Sequence, residues 1–353
     1  MRESIARTLW YGDGFGALVA RAALTPFEWM YGAASLVVLA RRARAAGPTV
    51  VPTVSVGNLT VGGTGKTPIA AWFASQLHAR GRTPALLLRG YGDDEALVHA
   101  RLNPGVPVIA DADRRRGAAW ALAAGADALV LDDAFQHRQM PRDADVVLVS
   151  ADLWTDQPVR LLPAGPFREP LMALRRADLI IVTRKAASAA RAVEVMQRLT
   201  RASGGVPVAV MHLAFDRLCA WPDGAQVDVE ALRGQRVVAV SGIGAPAAFL
   251  GQLRAAGADA RAATFGDHHA YSRQDVEAIA SRAADADRVV CTLKDAVKLG
   301  PIWPARNPPL WYLSQSVVIE TGATGIDAML DRLVHPTAPT TPAAAGPKSE
   351  PNG

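Results

Sequence analysis

The stretch GNLTVGGTGKTP, Gly57 to Pro68, holds the residue types that grip a polyphosphate. Gly62, Gly63 and Gly65 let backbone N–H groups approach anionic oxygens, Lys66 supplies a cation, and Thr67 a hydroxyl for a metal ion. The common form of such a loop is Gly, any four residues, then Gly-Lys-Ser/Thr. Here Thr60 stands at the first glycine position. The flanks decide between a phosphate loop and a chance turn. VPTVSV precedes it as a buried strand. TPIAAWFASQLHARG follows as a helix, with Pro68 in its first turn, Ile69, Trp72, Phe73 and Leu77 on one stripe, and Gly81 at its end. Residues Thr60, Val61, Gly62, Gly63, Thr64, Gly65, Lys66 and Thr67 are therefore the expected nucleotide cradle. A phosphate loop also needs an acid at the end of a neighbouring buried strand to hold Mg²⁺. ALVLDDAFQH offers Asp132 and Asp133.

The elements that must position these groups read as an α/β fold. TVVPTVSVGN, TPALLLRG, DALVLDD, DVVLVSAD and DLIIVTRK are mostly continuous apolar runs, as expected of strands buried on both faces, and Ala-rich helical stretches separate several of them. This predicts a P-loop-type, mostly parallel sheet with helices on both faces. A second cycle (QRVVAVSGIG, APAAFLGQLRAAG, ARAATFGDHH, SRQDVEAIASRAADA, DRVVCTLKD) predicts a second, smaller α/β domain. The expected division is 1–45, an N-terminal membrane-associated helical segment; 46–212, the P-loop ATP-binding domain; 213–335, the smaller α/β domain; and 336–353, a disordered tail with five prolines.

Among 353 residues half are hydrophobic, enough for two cores, and the net charge of +5 fits either a solvated basic surface or attraction to an anionic partner. No basic run interleaved with aromatics points to nucleic acid. The two cysteines, Cys219 and Cys291, lack the spacing of a zinc site or a disulfide framework, which fits a reducing compartment. Trp29 to Ala40 is a 12-residue run without charge, preceded by Glu28 and followed by Arg41, Arg42 and Arg44. That run is too short to cross a bilayer, which needs about 20 apolar residues. It fits a helix lying at an anionic membrane surface, with Trp29 and Tyr31 at the headgroups, or else a buried core helix.

Six ordered stretches carry a resemblance: VPTVSVGNLTVGGTGKTP, LLLRGYG, LDDAFQHRQMPRDADVVLV, LLPAGPFREP, FGDHHAYS and CTLKDAVKL. From Thr49 to Leu299 the chain resembles the tetraacyldisaccharide 4'-kinases of lipid A biosynthesis, whose loop also lacks the early glycine. The resemblance implies ATP and Mg²⁺ as cofactors and tetraacyldisaccharide 1-phosphate as lipid substrate, phosphorylated at the 4'-hydroxyl to lipid IVA. It also implies attachment to the anionic cytoplasmic face of the inner membrane of a Gram-negative bacterium; no obligate protein partner is evident in the sequence. Lys66 and Thr67 match the phosphate and Mg²⁺ residues and Asp132 and Asp133 the metal-binding pair. The family's catalytic Asp lies in a Gly-Asp-Glu-Pro motif. In RGYGDDEALV the preceding insert is almost absent, Asp93 stands for the Gly and Ala96 for the Pro, so the base matches Asp94 and the next acid Glu95, with Asp93 the alternative. The partner histidine matches His268, with His269 as fallback. Arg114, Gln136, His137, Arg168 and Glu169 match supporting or substrate positions. Ala134 replaces a usual glycine beside Gln136 and His137, and Leu293 a usual glutamate beside Lys294 and Asp295.

Two other readings of the loop compete. A membrane-associated partitioning ATPase, acting as a binding switch, carries a lysine where this chain has Val61. A GTP-binding metallochaperone needs metal-ligand clusters and a guanine-reading Asp that VTRK, Val182 to Lys185, lacks.

Overall fold

The computed structural model describes residues 2–44, 49–90, 94–222, 224–244 and 246–335. The proline-rich tail and Asp93, the alternative base, lie outside the described residues. Two helices, α1 (Arg2–Tyr11) and α2 (Phe15–Arg44), open the chain. The first α/β series is β1 (Thr53–Asn58), α3 (Lys66–Ala79), β2 (Pro84–Leu88), α4 (Asp94–Leu102), β3 (Val108–Ala110), α5 (Arg114–Ala123), β4 (Ala128–Asp132), β5 (Ala144–Ser150), β6 (Leu179–Arg184) and α6 (Ala189–Ser203). Two strands, β7 (Val208–Ala220) and the short β8 (Gln226–Asp228), lead to the second series. That series is β9 (Arg236–Ser241), α7 (Pro246–Ala255), β10 (Asp259–Thr264), α8 (Arg273–Arg282), β11 (Arg288–Thr292), α9 (Leu293–Leu299), β12 (Leu310–Thr321) and α10 (Ala323–Val334).

Among the described residues the strands form one twelve-stranded sheet in the order β10-β9-β11-β12-β7-β6-β5-β1-β4-β2-β3, with β8 on β7. Pairing is parallel within each series, as the continuous apolar runs predict. The two series meet through the long antiparallel pair β7–β12, from Trp311 opposite Ala220 to Thr321 opposite Val210, interrupted by two register shifts. Leu213, where the sequence division falls, lies inside β7. Beyond it α10 turns back to the first series, burying Ile326, Met329, Leu330 and Leu333 against the cluster that includes Ile69, Phe73 and Leu77 of α3.

The strand order positions the site. β1 lies between β5 and β4, with Ser55 opposite Leu131 and Val56 opposite Asp132, so the phosphate loop leaves β1 beside the acidic end of β4. β2 pairs with the other edge of β4, and α4, which follows β2, starts near the same strand ends. Gly57 permits this packing: a Cβ there would lie 2.6 Å from the Cβ of Phe135, behind the acidic pair.

The 12-residue apolar run lies within a helix of 30 residues, because the Ala/Leu-rich stretch from Phe15 continues through Pro26 without a break. By length and composition α2 is able to cross a membrane, so the length argument taken from the run alone does not hold. Nor is α2 a core helix, since Phe15, Leu18, Phe27, Trp29, Met30, Leu36 and Val37 are all exposed.

Phe73 is fully buried on the core face of α3. Phe73→Ala is expected to lower stability by about 3–5 kcal/mol, read as a reduced denaturant midpoint in urea unfolding.

Candidate active site

The phosphate loop is fixed from three sides. Asn58 at the end of β1 donates from Nδ2 to the Thr64 hydroxyl at 3.0 Å, and Thr183 at the end of β6 donates to the Thr64 carbonyl at 2.8 Å. The LLPAGPFREP segment closes the third side: Val61 N–H donates to the Pro166 carbonyl at 2.8 Å, and Arg168 N–H to the Leu59 carbonyl at 2.7 Å. Gly65, at φ 87°, turns the chain into α3 in the left-handed region that glycine favours. Lys66 and Thr67 are thus the first residues of α3, where unpaired N–H groups and the helix dipole attract anions.

Asp132 and Asp133 lie across from that helix start. Asp133 adopts φ 50° and faces Lys66 at 3.9 Å and Arg168 at 3.3 Å. Asp132 is buried; its Oδ2 accepts from Nε2 of His99 at 2.9 Å, while its Oδ1 has no partner among the described residues. Burial pushes the Asp132 carboxyl up, but the hydrogen bond and charge of His99, with Lys66 and Lys294, outweigh it and hold it below its ordinary range. An ionised buried carboxylate with a free oxygen, and the Thr67 hydroxyl in the first turn of α3, are oxygen donors of the kind that suits Mg²⁺. Arg114 is also buried and donates to the Asp132 carbonyl at 2.8 Å. Burial lowers its guanidinium to about 10, opposed by Asp132 and Asp133, so it stays cationic at neutral pH.

The opposite wall of the cleft meets this one at α4. Asp94 and Glu95 form its first turn, and Asp94 is buried. His268, in the loop after β10, brings Nδ1 to 3.2 Å from Asp94 Oδ2. A carboxylate only accepts, so Nδ1 carries the hydrogen. His268 adopts φ 55°; it and Asp133 are the positive-φ residues other than glycine among those described. Such backbone strain concentrates at functional sites. His269 turns away, with Nε2 3.1 Å from Asp275, the acid of the α8 capping box. From α9, Lys298 Nζ lies 3.7 Å from Asp94, and Lys294 Nζ 3.7 Å from Glu95. Burial pushes the Glu95 carboxyl up; Lys294 and Lys66 oppose this, and Asp132 and Asp94 add to it.

The remaining expected positions surround the loop. Gln136 donates to the Asn58 carbonyl at 2.9 Å and to Glu169 at 3.0 Å. Glu169 is buried and bonded by Arg176 at 2.8 Å, so it braces the loop from behind. Arg168 faces the acidic pair, whereas His137 sits among arginines. Asp295 is fully buried and accepts from Tyr271, Thr292 and the Gly242 N–H, anchoring α9. The sequence pointed to neither His99 nor Lys298, and it gave Lys294 no definite role beside the missing glutamate. The signal for His99 was a histidine next to Val98 on the buried stripe of a short helix.

A glycine loop between a buried strand and a helix, Lys-Thr at the helix start and an acid closing the adjacent strand define a P-loop nucleotide-binding enzyme. The sequence profile described as "Tetraacyldisaccharide-1-P 4'-kinase" matches residues 20–99 and 92–335. The chain belongs to the tetraacyldisaccharide 4'-kinase family, kinases of lipid A biosynthesis that transfer phosphate to a hydroxyl. It is 38% identical to the tetraacyldisaccharide 4'-kinase of Anaeromyxobacter sp. (strain Fw109-5), over 93% of this chain and 97% of that one. Identity is 40% with that of Anaeromyxobacter sp. (strain K), over 84% and 86%. The fold is similar to LpxK from Aquifex aeolicus, crystallised in complex with ATP, with a TM-score of 0.69 and 26% identity over 90% of this chain and all of that one. The partitioning-ATPase reading is thereby set aside.

Burial lowers His137 from its usual 6.5 to about 4, with Arg114, Arg142, Arg42 and Arg89 adding to the shift. Below pH 6.5 the unfolded chain takes up the proton that the folded chain refuses, so stability falls as pH drops from 6.5 toward 4. His137→Gln is expected to flatten that part of the profile, read by urea unfolding at stepped pH values.

Proposed function

We propose that this chain transfers the γ-phosphoryl group of ATP to the 4'-hydroxyl of tetraacyldisaccharide 1-phosphate, giving lipid IVA and ADP, with Asp94 as base. The observation that carries the reading is the placement of Asp94: a buried carboxylate at the tip of α4, held by His268 and Lys298. A sugar hydroxyl is a weak acid, so its proton must leave as the new bond forms. In the step, the O–H bond of the 4'-hydroxyl breaks and its proton passes to Asp94. The O–P bond to the γ-phosphorus forms, and the bond from that phosphorus to the β–γ bridging oxygen breaks, its electrons leaving with ADP. His268 orients Asp94 through its Nδ1–H. Lys66 and Arg114 stabilise charge on the transferring group. Thr67, Asp132 and Asp133 would hold Mg²⁺, which would supply positive charge to offset that of the phosphates.

The acceptor's lipid character is supported beside the loop. A mainly apolar cavity of about 380 Å³ lies between the N-terminal helices and the loop flank, lined by Trp10, Leu18, Leu59, Leu153 and Phe167. α2 passes the site mouth: Arg42 reaches the Gln136 carbonyl at 3.4 Å. At its midpoint Glu28 accepts from Arg160 at 3.1 Å and from the Leu161 N–H at 2.6 Å, which ties it to the soluble body. A helix so tied, exposed and apolar elsewhere, with Arg41, Arg42 and Arg44 in its last turn, fits docking along the anionic cytoplasmic face of the inner membrane.

Incubation with γ-labelled ATP and tetraacyldisaccharide 1-phosphate in detergent micelles is expected to label the lipid. ATP hydrolysis without lipid labelling would overturn the reading. Asp94→Asn is expected to cut kcat by about 10²–10⁴ while leaving ATP affinity nearly unchanged. The exposed double variant Met30→Glu/Val37→Glu is expected to reduce co-sedimentation with anionic vesicles by about tenfold or more, with kcat on short-chain acceptor retained.

A further inference from the structure

The carboxylate assigned to the metal is gripped by a side chain outside every motif that marks the site. His99 lies five residues after Asp94 on the inner face of α4 and is completely buried. Its Nε2 donates to Oδ2 of Asp132 at 2.9 Å. Its Nδ1 has no partner among the described residues. A buried ring nitrogen left unpaired costs stability, and leucine would fill the same space without that cost. The compensating contact is at Asp132, whose backbone carbonyl is already held by Arg114 at 2.8 Å and whose Oδ1 is buried and unpaired. With Oδ2 occupied, the carboxylate presents one oxygen, and the rotation that would exchange the two is opposed by the His99 bond.

We infer that His99 is a positioning residue for the metal site: it commits Oδ2 of Asp132, leaves Oδ1 to the divalent cation, and fixes that oxygen relative to the helix that carries Asp94. The inference rests on the assignment of Asp132 as a magnesium ligand. Partners of this kind, bonded to a ligating group rather than to the metal, commonly change metal affinity 10–100-fold when removed. Because α4 carries both Asp94 and His99, the same helix sets the base and the metal-facing carboxylate.

The test uses the full chain, the non-hydrolysable analogue β,γ-imido-ATP, and Mn²⁺ detected by electron paramagnetic resonance. His99→Leu is expected to weaken Mn²⁺ binding to the analogue complex about 10–100-fold while changing metal-free analogue affinity less than about threefold. His99→Gln, which keeps an N–H donor of similar reach, is expected to recover most of the Mn²⁺ affinity. Should His99→Leu not fold, His99→Gln compared with His99→Met carries the same comparison. Unchanged Mn²⁺ affinity in the leucine variant, with Asp132→Asn weakened, overturns the role of His99 alone. Unchanged affinity in Asp132→Asn overturns the metal assignment and the inference with it. Equal loss of Mn²⁺ and metal-free analogue binding in the leucine and glutamine variants makes His99 a packing residue and also overturns it.

Discussion

The packing of α9 against the first turn of α4 is the contact on which the site depends. Lys294 and Lys298 stand one helical turn apart on α9 and face Glu95 and Asp94, which are adjacent on α4. Four charges at a half-buried junction are stable only because each meets its opposite; removing one would leave an uncompensated partner in a poorly solvated place. The two helices pack together although β11 and β2, the strands that precede them, lie far apart in the strand order, so the contact joins one series to the other. Asp94 and His268 therefore come from opposite sides of the cleft, one from each series.

The two rims use different physical means to hold their acids. Asp94 lies at a helix N-terminus, between an imidazole and an ammonium group. Asp132 ends a parallel strand, is deeply buried, and is kept ionised by His99 with help from Lys66 and Lys294. Asp133, next to it, is partly exposed and paired with cations at a positive φ. Three carboxylates within one cleft thus differ in freedom, in keeping with the separate roles proposed for them.

Much of this was legible in the chain. The strand–loop–helix around Lys66, the acid at the end of LVLDD and the parallel class all follow from periodicity and turn chemistry. The β7–β12 ribbon was not, because its outer half is polar and only partly buried: RLCAWP and LSQSVVIET show neither a continuous apolar run nor clean alternation. His99 and Lys298 were not either. One looks like a filler on a helix face and the other like a surface lysine in KDAVKL. Their partners, Asp132 and Asp94, become neighbours only after the sheet is assembled. The extent of α2 was hidden by Arg21 and Glu28. These charges interrupt the apolar run, but the fold covers both, one with the Leu9 and Gly12 carbonyls and the other with Arg160 and Leu161.

The antiparallel ribbon also limits how the cleft can move. In many two-lobed kinases the lobes swing on a flexible tether. Here the crossing strands are knitted by main-chain hydrogen bonds over most of their length, and α10 anchors the return strand in the first lobe's interior. Bending about a point would break that ladder. Shear and twist along it need only small adjustments at the two places where the register slips, near Ser314 and Glu320. A sheet continuous across both series therefore favours torsion over hinge bending as the motion that would change the separation of His268 and Asp94.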